Sequence, residues 1–161
     1  MDDPGRVVPY AYFYRYLPFV AYTIGVAANA VEPRTAYWVW VAITEALLVL
    51  CIIGTRRITD DDDLFASLAA MWLMFTPFYI EQYMGQLTFA MAALSFAFAI
   101  AFLKGRLLAA EGWWWAGVVI KHLTVLYVPI LLRVRRYRAV IVAGLLLAVT
   151  TVPYLLLRGH G

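Results

Sequence analysis

Residues 76–88 read Thr-Pro-Phe-Tyr-Ile-Glu-Gln-Tyr-Met-Gly-Gln-Leu-Thr, and this polar stretch separates two long apolar segments. The apolar segments cover residues 64–75 and 89–103, and neither contains a charged residue. The stretch between them carries one carboxylate, two amides and two tyrosines. Because hydrocarbon does not tolerate polar groups without partners, we expect the stretch to lie at a membrane surface between two membrane helices. A polar cluster in that position is a candidate functional site.

The composition is that of an integral membrane protein. The chain has 161 residues, of which 65% are hydrophobic and 14% charged, and its mean hydropathy is +0.78. A soluble domain is about 45–50% apolar and about 25% charged. The single cysteine, Cys51, excludes an intrachain disulfide and a thiolate metal site. The sequence contains no basic patch of the kind that binds nucleic acid, and no phosphate loop, zinc signature or Ser-His-Asp spacing.

The order of the apolar segments predicts an all-α fold, a polytopic integral membrane helical bundle with about five or six membrane helices. Residues 1–161 are interpreted as a single membrane domain, in which 1–34 are juxtamembrane and 35–157 form the transmembrane helices. A span needs about 20 residues, so we interpret the short segment 16–31 as a juxtamembrane or partly inserted helix. A first full span is the alternative. The other predicted helices cover residues 35–53, 64–79, 87–103, a short pair within 107–132, and 139–157, with a kink at Pro153.

Residues 107–132 allow two interpretations. Glu111-Gly112 and Lys121-His122 interrupt the segment, and the pieces 113–120 and 123–132 are each too short to span a membrane. Either two short helices meet at Lys121, or one span covers both pieces with a charge at its centre. A lysine at a span centre costs about 2.5–3.5 kcal/mol on insertion scales. Paired short helices remove most of that cost, and we therefore expect them.

The basic residues predict the orientation of the chain. Eight of the thirteen lysines and arginines lie in residues 56–57, 104–106 and 133–138. If all eight face the cytoplasm, the positive-inside rule is satisfied. The polar stretch and Lys121-His122 then share the outer side. We expect a multi-pass protein in the bilayer of the plasma membrane.

Four consecutive aspartates, Asp60 to Asp63, precede the segment that begins at Leu64. Such a run suggests a metal site. Carboxylates at the start of a helix also cap its free N–H groups and interact favourably with its dipole. We interpret the aspartates as a helix cap and assign no metal site and no cofactor.

The polar stretch supplies the first candidate site residues, Glu81, Gln82, Gly85 and Gln86. Their carboxylate and amides suit a sugar, or a phosphate held through a divalent metal ion. Gly85 permits close approach of the backbone, and the amide of Gln86 both donates and accepts hydrogen bonds. A solvated loop without a ligand is the alternative interpretation.

Three further ionisable residues lie in or beside apolar segments. Lys121 has the charge to hold a lipid-linked phosphate, or it extends to the interface without binding a ligand. His122 adjoins it as a further candidate for substrate binding or for packing. Glu45 lies in the middle of a predicted span, where an ionisable residue is a functional candidate by default. A neutral Glu45 hydrogen-bonded to Thr44 or to another helix is the alternative.

Three motifs, in this order, resemble one family of enzymes. Residues 14–19 (Tyr-Arg-Tyr-Leu-Pro-Phe) resemble the Tyr-x-Pro-Pro-Leu entry of polytopic glycosyltransferases of the type C fold. Residues 85–88 (Gly-Gln-Leu-Thr) resemble the Gly-Gln-x-Asn turn of glycosyltransferase family 87, the polyprenyl-phosphate-mannose-dependent mannosyltransferases. Residues 116–121, followed by Pro129 and an arginine cluster, resemble that family's Ala-Gly-(apolar)-Lys…Pro segment. The resemblance covers roughly residues 12–150.

The resemblance implies an inverting transfer of a hexose, in this family mannose, from a polyprenyl-phosphate donor to a lipid or glycan acceptor on the outer face. The acceptor hydroxyl then needs a carboxylate as general base, and the leaving phosphate needs a positive charge. Lys121 is expected to supply the charge and Glu81 is the local carboxylate. The family places its main catalytic carboxylate in an external loop after an upstream helix, so we expect this chain to be a fragment of the type C core.

Two rival functions remain at the level of sequence. The first is a small non-catalytic polytopic subunit, which needs no external carboxylate. The second is a transporter, in which Glu45 and Lys121 would couple ion and substrate movement. Against the transporter, the chain shows no internal inverted repeat and few spans.

Overall fold

The computed structural model describes residues 18–75, 78–79, 82 and 87–158, and all secondary structure in these residues is helical. The expectations for residues 1–15 and for Glu81, Gly85 and Gln86 lie outside the described residues. The helices are α1 (Pro18–Val20), α2 (Val26–Asn29), α3 (Pro33–Arg56), α4 (Asp62–Leu73), α5 (Thr88–Leu103), α6 (Leu107–Ile120), α7 (Val128–Arg133) and α8 (Tyr137–Arg158), with a π-helical turn at Ala21–Gly25 and a 3₁₀ turn at His122–Tyr127. The predicted all-α class is confirmed for these residues.

Helix α3 is the longest helix and extends the predicted segment 35–53 at both ends. Pro33 lies in its first turn, where a missing N–H costs nothing. The helix buries a stripe of residues spaced three or four apart, namely Thr44, Leu48, Cys51 and Thr55. The hydroxyl of Thr55 donates to the carbonyl of Cys51 at 2.9 Å, so this polar side chain is buried with a partner.

Helix α4 begins as the aspartate run predicts. The Asp61 carboxylate accepts hydrogen bonds from the backbone N–H groups of Asp63 and Leu64, both at 2.9 Å, which confirms the cap. The predicted end of this helix at residue 79 is wrong, because α4 ends at Leu73.

Helices α5 and α6 form an antiparallel hairpin joined by Lys104–Arg106, with Gly105 at φ +68° in the turn. Their contact contains the buried side chains of Phe98 and Trp114. On its other side α5 packs closely against α3. A Cβ at Gly54 would meet the Phe96 ring at 3.0 Å, so glycine permits this approach.

The charged residue Glu111 does not interrupt the chain as the sequence predicted. Helix α6 runs from Leu107 through Glu111 and Gly112 to Ile120. Glu111 is buried and forms an ion pair with Arg136, which lies between α7 and α8. Because a charge partner is present inside the fold, the carboxylate needs no contact with water and the helix continues.

The second predicted interruption is confirmed. Lys121 has extended backbone angles, φ −154° and ψ 129°, and separates α6 from the 3₁₀ turn and α7. The single continuous span through this segment is therefore wrong. The preferred pair of short helical pieces is present, although the first piece begins at Leu107 rather than at residue 113.

The helical segments at the two ends of the described chain differ in length. From Pro18 to Asn29 the helical turns are shorter than the about 20 residues of a span. The juxtamembrane interpretation of this segment stays a prediction. Helix α8 covers Tyr137–Arg158 and includes Pro153, in agreement with the last predicted helix. Its residues Ala139 and Ala143 are buried in the same core as Trp114.

Helix α3 is long and apolar enough to cross a membrane by length and composition. Shorter apolar helices of 10–17 residues lie at Thr88–Leu103, Leu107–Ile120, Thr124–Arg133 and Tyr137–Pro153. The prediction of five or six membrane helices and the single-domain interpretation therefore stay predictions.

Candidate functional site

Of the four candidate site residues in the polar stretch, Gln82 is the one that the structure describes, and it contacts the middle of α3. Its Nε2 atom lies 3.3 Å from Thr44 Oγ1 and 3.3 Å from Glu45 Oε1. Glu45 precedes Arg56 by eleven residues, or about 16 Å along the helix. Gln82 therefore lies beside the middle of α3, where Thr44 and Glu45 give its amide polar partners. The expectation that the polar stretch lies at a membrane surface stays a prediction.

Thr44 is a fixed acceptor for Gln82. Its side chain is buried, at 2% exposure, and its hydroxyl donates to the carbonyls of Val41 at 2.9 Å and Trp40 at 3.1 Å within the same helix. The hydroxyl hydrogen is thus occupied, and the oxygen lone pairs face outward from the helix. Glu45 follows at the edge of the buried stripe, where its carboxylate is exposed.

An aromatic cluster holds the chain on both sides of Gln82 against α3. Phe78, before Gln82, and Phe89, after it, are each 1% exposed, with ring centroids 4.6 Å apart in an edge-to-face arrangement. Both pack with Leu48 of the buried stripe. This packing explains why Gln82 lies next to Thr44, four residues from Leu48 on the same face of α3.

Lys121 lies at the opposite end of the α5–α6 hairpin from Gly105. It is half-buried, and its backbone N–H donates to the carbonyl of Gly117 at 2.9 Å. As α5 and α6 are antiparallel, Lys121 and the start of α5 at Thr88 share one end of the hairpin. A cation is favoured at the C-terminus of a helix such as α6, because the negative end of the helix dipole lies there. His122 is the first residue of the 3₁₀ turn that follows.

The turn after Lys121 is fixed by close contacts to α6. Trp114 Nε1 donates to the carbonyl of Thr124 at 2.7 Å. A Cβ at Gly117 would lie 2.9 Å from Thr124 Cγ2, which is shorter than real Cβ contacts allow. Gly117 is therefore required for the turn to pack on α6. The same contacts hold the backbone position of Lys121.

Four of the eight basic residues that are predicted to share one side lie together at one end of the bundle. Lys104 Nζ donates to the carbonyl of Arg57 at 3.0 Å, which joins the α5–α6 turn to the end of α3. Arg106 and Arg136 line a surface pocket of about 350 Å³ at the start of α6. We call this region, with Arg57, Lys104, Arg106 and Arg136, the basic end.

The Glu111–Arg136 pair is the polar contact that sequence reasoning missed. Glu111 was interpreted as a break in the helix and Arg136 as a member of an arginine cluster. The signal available was a single acid in an apolar segment that precedes four arginines. Its partner, 25 residues later, is set by how α6 and the turn before α8 pack.

A metal site receives no support in the described part of the chain. No group of three or more histidine, cysteine, aspartate or glutamate side chains there is arranged to hold an ion. The aspartate run at the start of α4 serves the cap, and Asp62 also pairs with Arg56 at 2.7 Å. The assignment of no cofactor was not tested and stays a prediction.

The described part of the chain is an apolar helical bundle in which the Gln82 amide contacts Thr44 and the exposed Glu45 on the long helix α3. The family model of glycosyltransferase family 87 matches residues 14–161, and the chain belongs to that family. The family comprises membrane glycosyltransferases that use lipid-linked sugar donors and lipid or glycan acceptors. Comparison with curated proteins and with solved structures found no match.

Proposed function

We propose that this protein transfers a hexose, specifically mannose, from a polyprenyl-phosphate donor to a lipid or glycan acceptor. The observation that carries the proposal is the match to glycosyltransferase family 87 across residues 14–161. The half-buried amide of Gln82 and the amine of Lys121 supply groups suited to a sugar and to a phosphate. The reaction occurs on the outer face of the plasma membrane, in a multi-pass chain.

The chemistry assigns a role to each candidate residue. The acceptor oxygen attacks the anomeric carbon, its proton passes to a carboxylate, and the bond from that carbon to the phosphate oxygen breaks with inversion. We assign Glu81 as the carboxylate that accepts this proton. Lys121, with His122 beside it, stabilises the negative charge that develops on the leaving polyprenyl phosphate. Gln82, Gly85 and Gln86 bind the sugar.

The proposal is tested by transfer of labelled mannose from polyprenyl-phosphate mannose in membranes that contain the full-length protein. We expect Lys121→Ala to lower transfer by about 10²–10³-fold, the usual loss when one stabilising group is removed from a transition state. Lys121→Arg keeps the charge and is expected to lose less. The control is Lys104→Ala, which removes a lysine at the basic end.

The outcomes separate the role of Lys121 from the function itself. Equal transfer by Lys121→Ala and by the unchanged protein would remove Lys121 from the site while the function stands. Absence of transfer by the unchanged protein, with correct membrane insertion, would favour the non-catalytic subunit.

A further inference from the structure

The contacts of Gln82 determine which end of its amide is available to a ligand. Thr44 Oγ1 has its hydrogen occupied by backbone carbonyls of α3, so toward Gln82 it acts as an acceptor. The Oε1 atom of Glu45 that faces Gln82 also acts as an acceptor. Both atoms are 3.3 Å from Gln82 Nε2. Because both neighbouring atoms are acceptors, the NH₂ group of Gln82 must lie on their side. If the amide were reversed, its carbonyl oxygen would face two acceptors with no hydrogen to form a bond.

The opposite end of the amide is therefore an oxygen with a fixed direction. No donor among the residues that the structure describes reaches Gln82 Oε1 in the contacts that hold this side chain. Gln82 is half-buried and lies beside exposed Glu45. An oriented acceptor in an apolar surrounding selects a hydroxyl or N–H donor on a ligand.

We propose that Gln82 binds a sugar hydroxyl of the donor through Oε1, and that Thr44 and Glu45 are positioning residues that hold the amide in this orientation. The inference rests on the proposed function for the identity of the ligand. Glu45 is then neither a coupling residue nor a catalytic residue. Its carboxylate acts through Gln82, and its removal lets the amide rotate by 180° and present N–H groups to the hydroxyl.

Exchanging the side chains at positions 45 and 82 tests whether residue 82 accepts a hydrogen bond from the ligand or donates one to it. Gln82→Glu alone places two carboxylates in contact, and Glu45→Gln alone frees the amide to rotate. We expect each to weaken binding of a short-chain polyprenyl-phosphate mannose to the protein in lipid nanodiscs by about tenfold, equivalent to one hydrogen bond. The double variant restores binding to within about threefold of the unchanged protein. In it, the amide introduced at position 45 donates to the carboxylate introduced at position 82, and the second oxygen of that carboxylate accepts from the ligand.

The opposite role predicts a different result from the same proteins. If Gln82 donates to the phosphate or to a sugar oxygen, a carboxylate at position 82 cannot replace it, and the double variant binds no better than Gln82→Glu. That result would overturn the inference. Glu32→Gln, at the start of the same helix, is the matched control for removal of a carboxylate and is expected to leave binding unchanged.

Donors that lack single hydroxyl groups identify the bonded hydroxyl. The unchanged protein is expected to bind one of the four monodeoxy mannose donors about tenfold more weakly than the parent donor. Gln82→Leu binds the parent and that analogue equally, because the acceptor is absent from both complexes. A Gln82→Leu protein that still discriminates among the analogues as the unchanged protein does would contradict the role of Oε1.

Thermal unfolding separates failure of this inference from failure of the proposed function. The contact between positions 45 and 82 exists without a ligand, so each single exchange is expected to lower Tm and the double exchange to recover most of the loss. If the unchanged protein binds no polyprenyl-phosphate sugar, the proposed function and the ligand of Oε1 both fail. If binding occurs but the double variant recovers neither Tm nor affinity, the orientation of the amide is wrong and the proposed function stands.

Discussion

The absence of a side chain at Gly117 allows the turn after Lys121 to pack on α6. We expect Gly117→Ala to destabilise the protein by about 1–3 kcal/mol, the usual cost of an added methyl group in a tightly packed contact. The physical reason is the 2.9 Å distance from the new Cβ to Thr124 Cγ2. Denaturant unfolding in detergent measures the change.

Two variants control the prediction at Gly117. Gly112→Ala lies in the same helix with open space around its Cβ position, and it should stabilise the helix by about 0.5–1 kcal/mol. Thr124→Ser removes the clashing methyl, so the combination with Gly117→Ala should recover most of the loss. A loss of the same size at Gly112, where the added methyl group meets no atom, would show that the contact with Thr124 does not control the effect.

At the level of elements, the Glu111–Arg136 pair joins α6 to the turn before α8. Glu111 is 3% exposed, whereas the side chain of Arg136 is 32% exposed. Glu111→Gln removes the ion pair but leaves an amide oxygen that accepts from the guanidinium, so we expect a cost of about 1.5–3 kcal/mol, the usual contribution of a hydrogen bond to a charged group. The same unfolding measurement tests this.

The exposed pair between α3 and α4 provides the control for Glu111. Asp62 and Arg56 have side-chain exposures of 86% and 48%. Water screens such a pair, and Asp62→Asn is expected to cost less than about 1 kcal/mol. Similar losses at Asp62 and Glu111 would mean that burial does not determine the contribution of the α6 pair.

For the whole molecule, the placement of the basic end predicts the orientation in the membrane. Cys51 is the single cysteine of the chain and is buried, so new cysteines are the main targets of a membrane-impermeant maleimide. With the basic end in the cytoplasm, intact cells expressing Glu32→Cys should be labelled, whereas cells expressing Arg106→Cys should be labelled only after permeabilisation. The reverse pattern of labelling would contradict the proposed orientation.

Local sequence features predicted much of the helical framework. The Asp61 cap, the break at Lys121 and the course of α3 and α8 depend on residues within a few positions of one another. The candidate site was predicted less completely. The site role of Gln82 stays a prediction. Its contact with the middle of α3 was not predicted, because that contact depends on the packing of Phe78 and Phe89 with Leu48.

The sequence by itself determined a helical, membrane-type chain with its basic residues gathered in three turns, since composition, caps and breaks act through neighbouring residues. Only the tertiary structure decided which polar groups meet. Gln82 contacts Glu45 across 37 positions and Glu111 contacts Arg136 across 25. In an apolar surrounding a buried polar group must find a partner, and the packing of helices, not the spacing of residues along the chain, determines which partner is within reach.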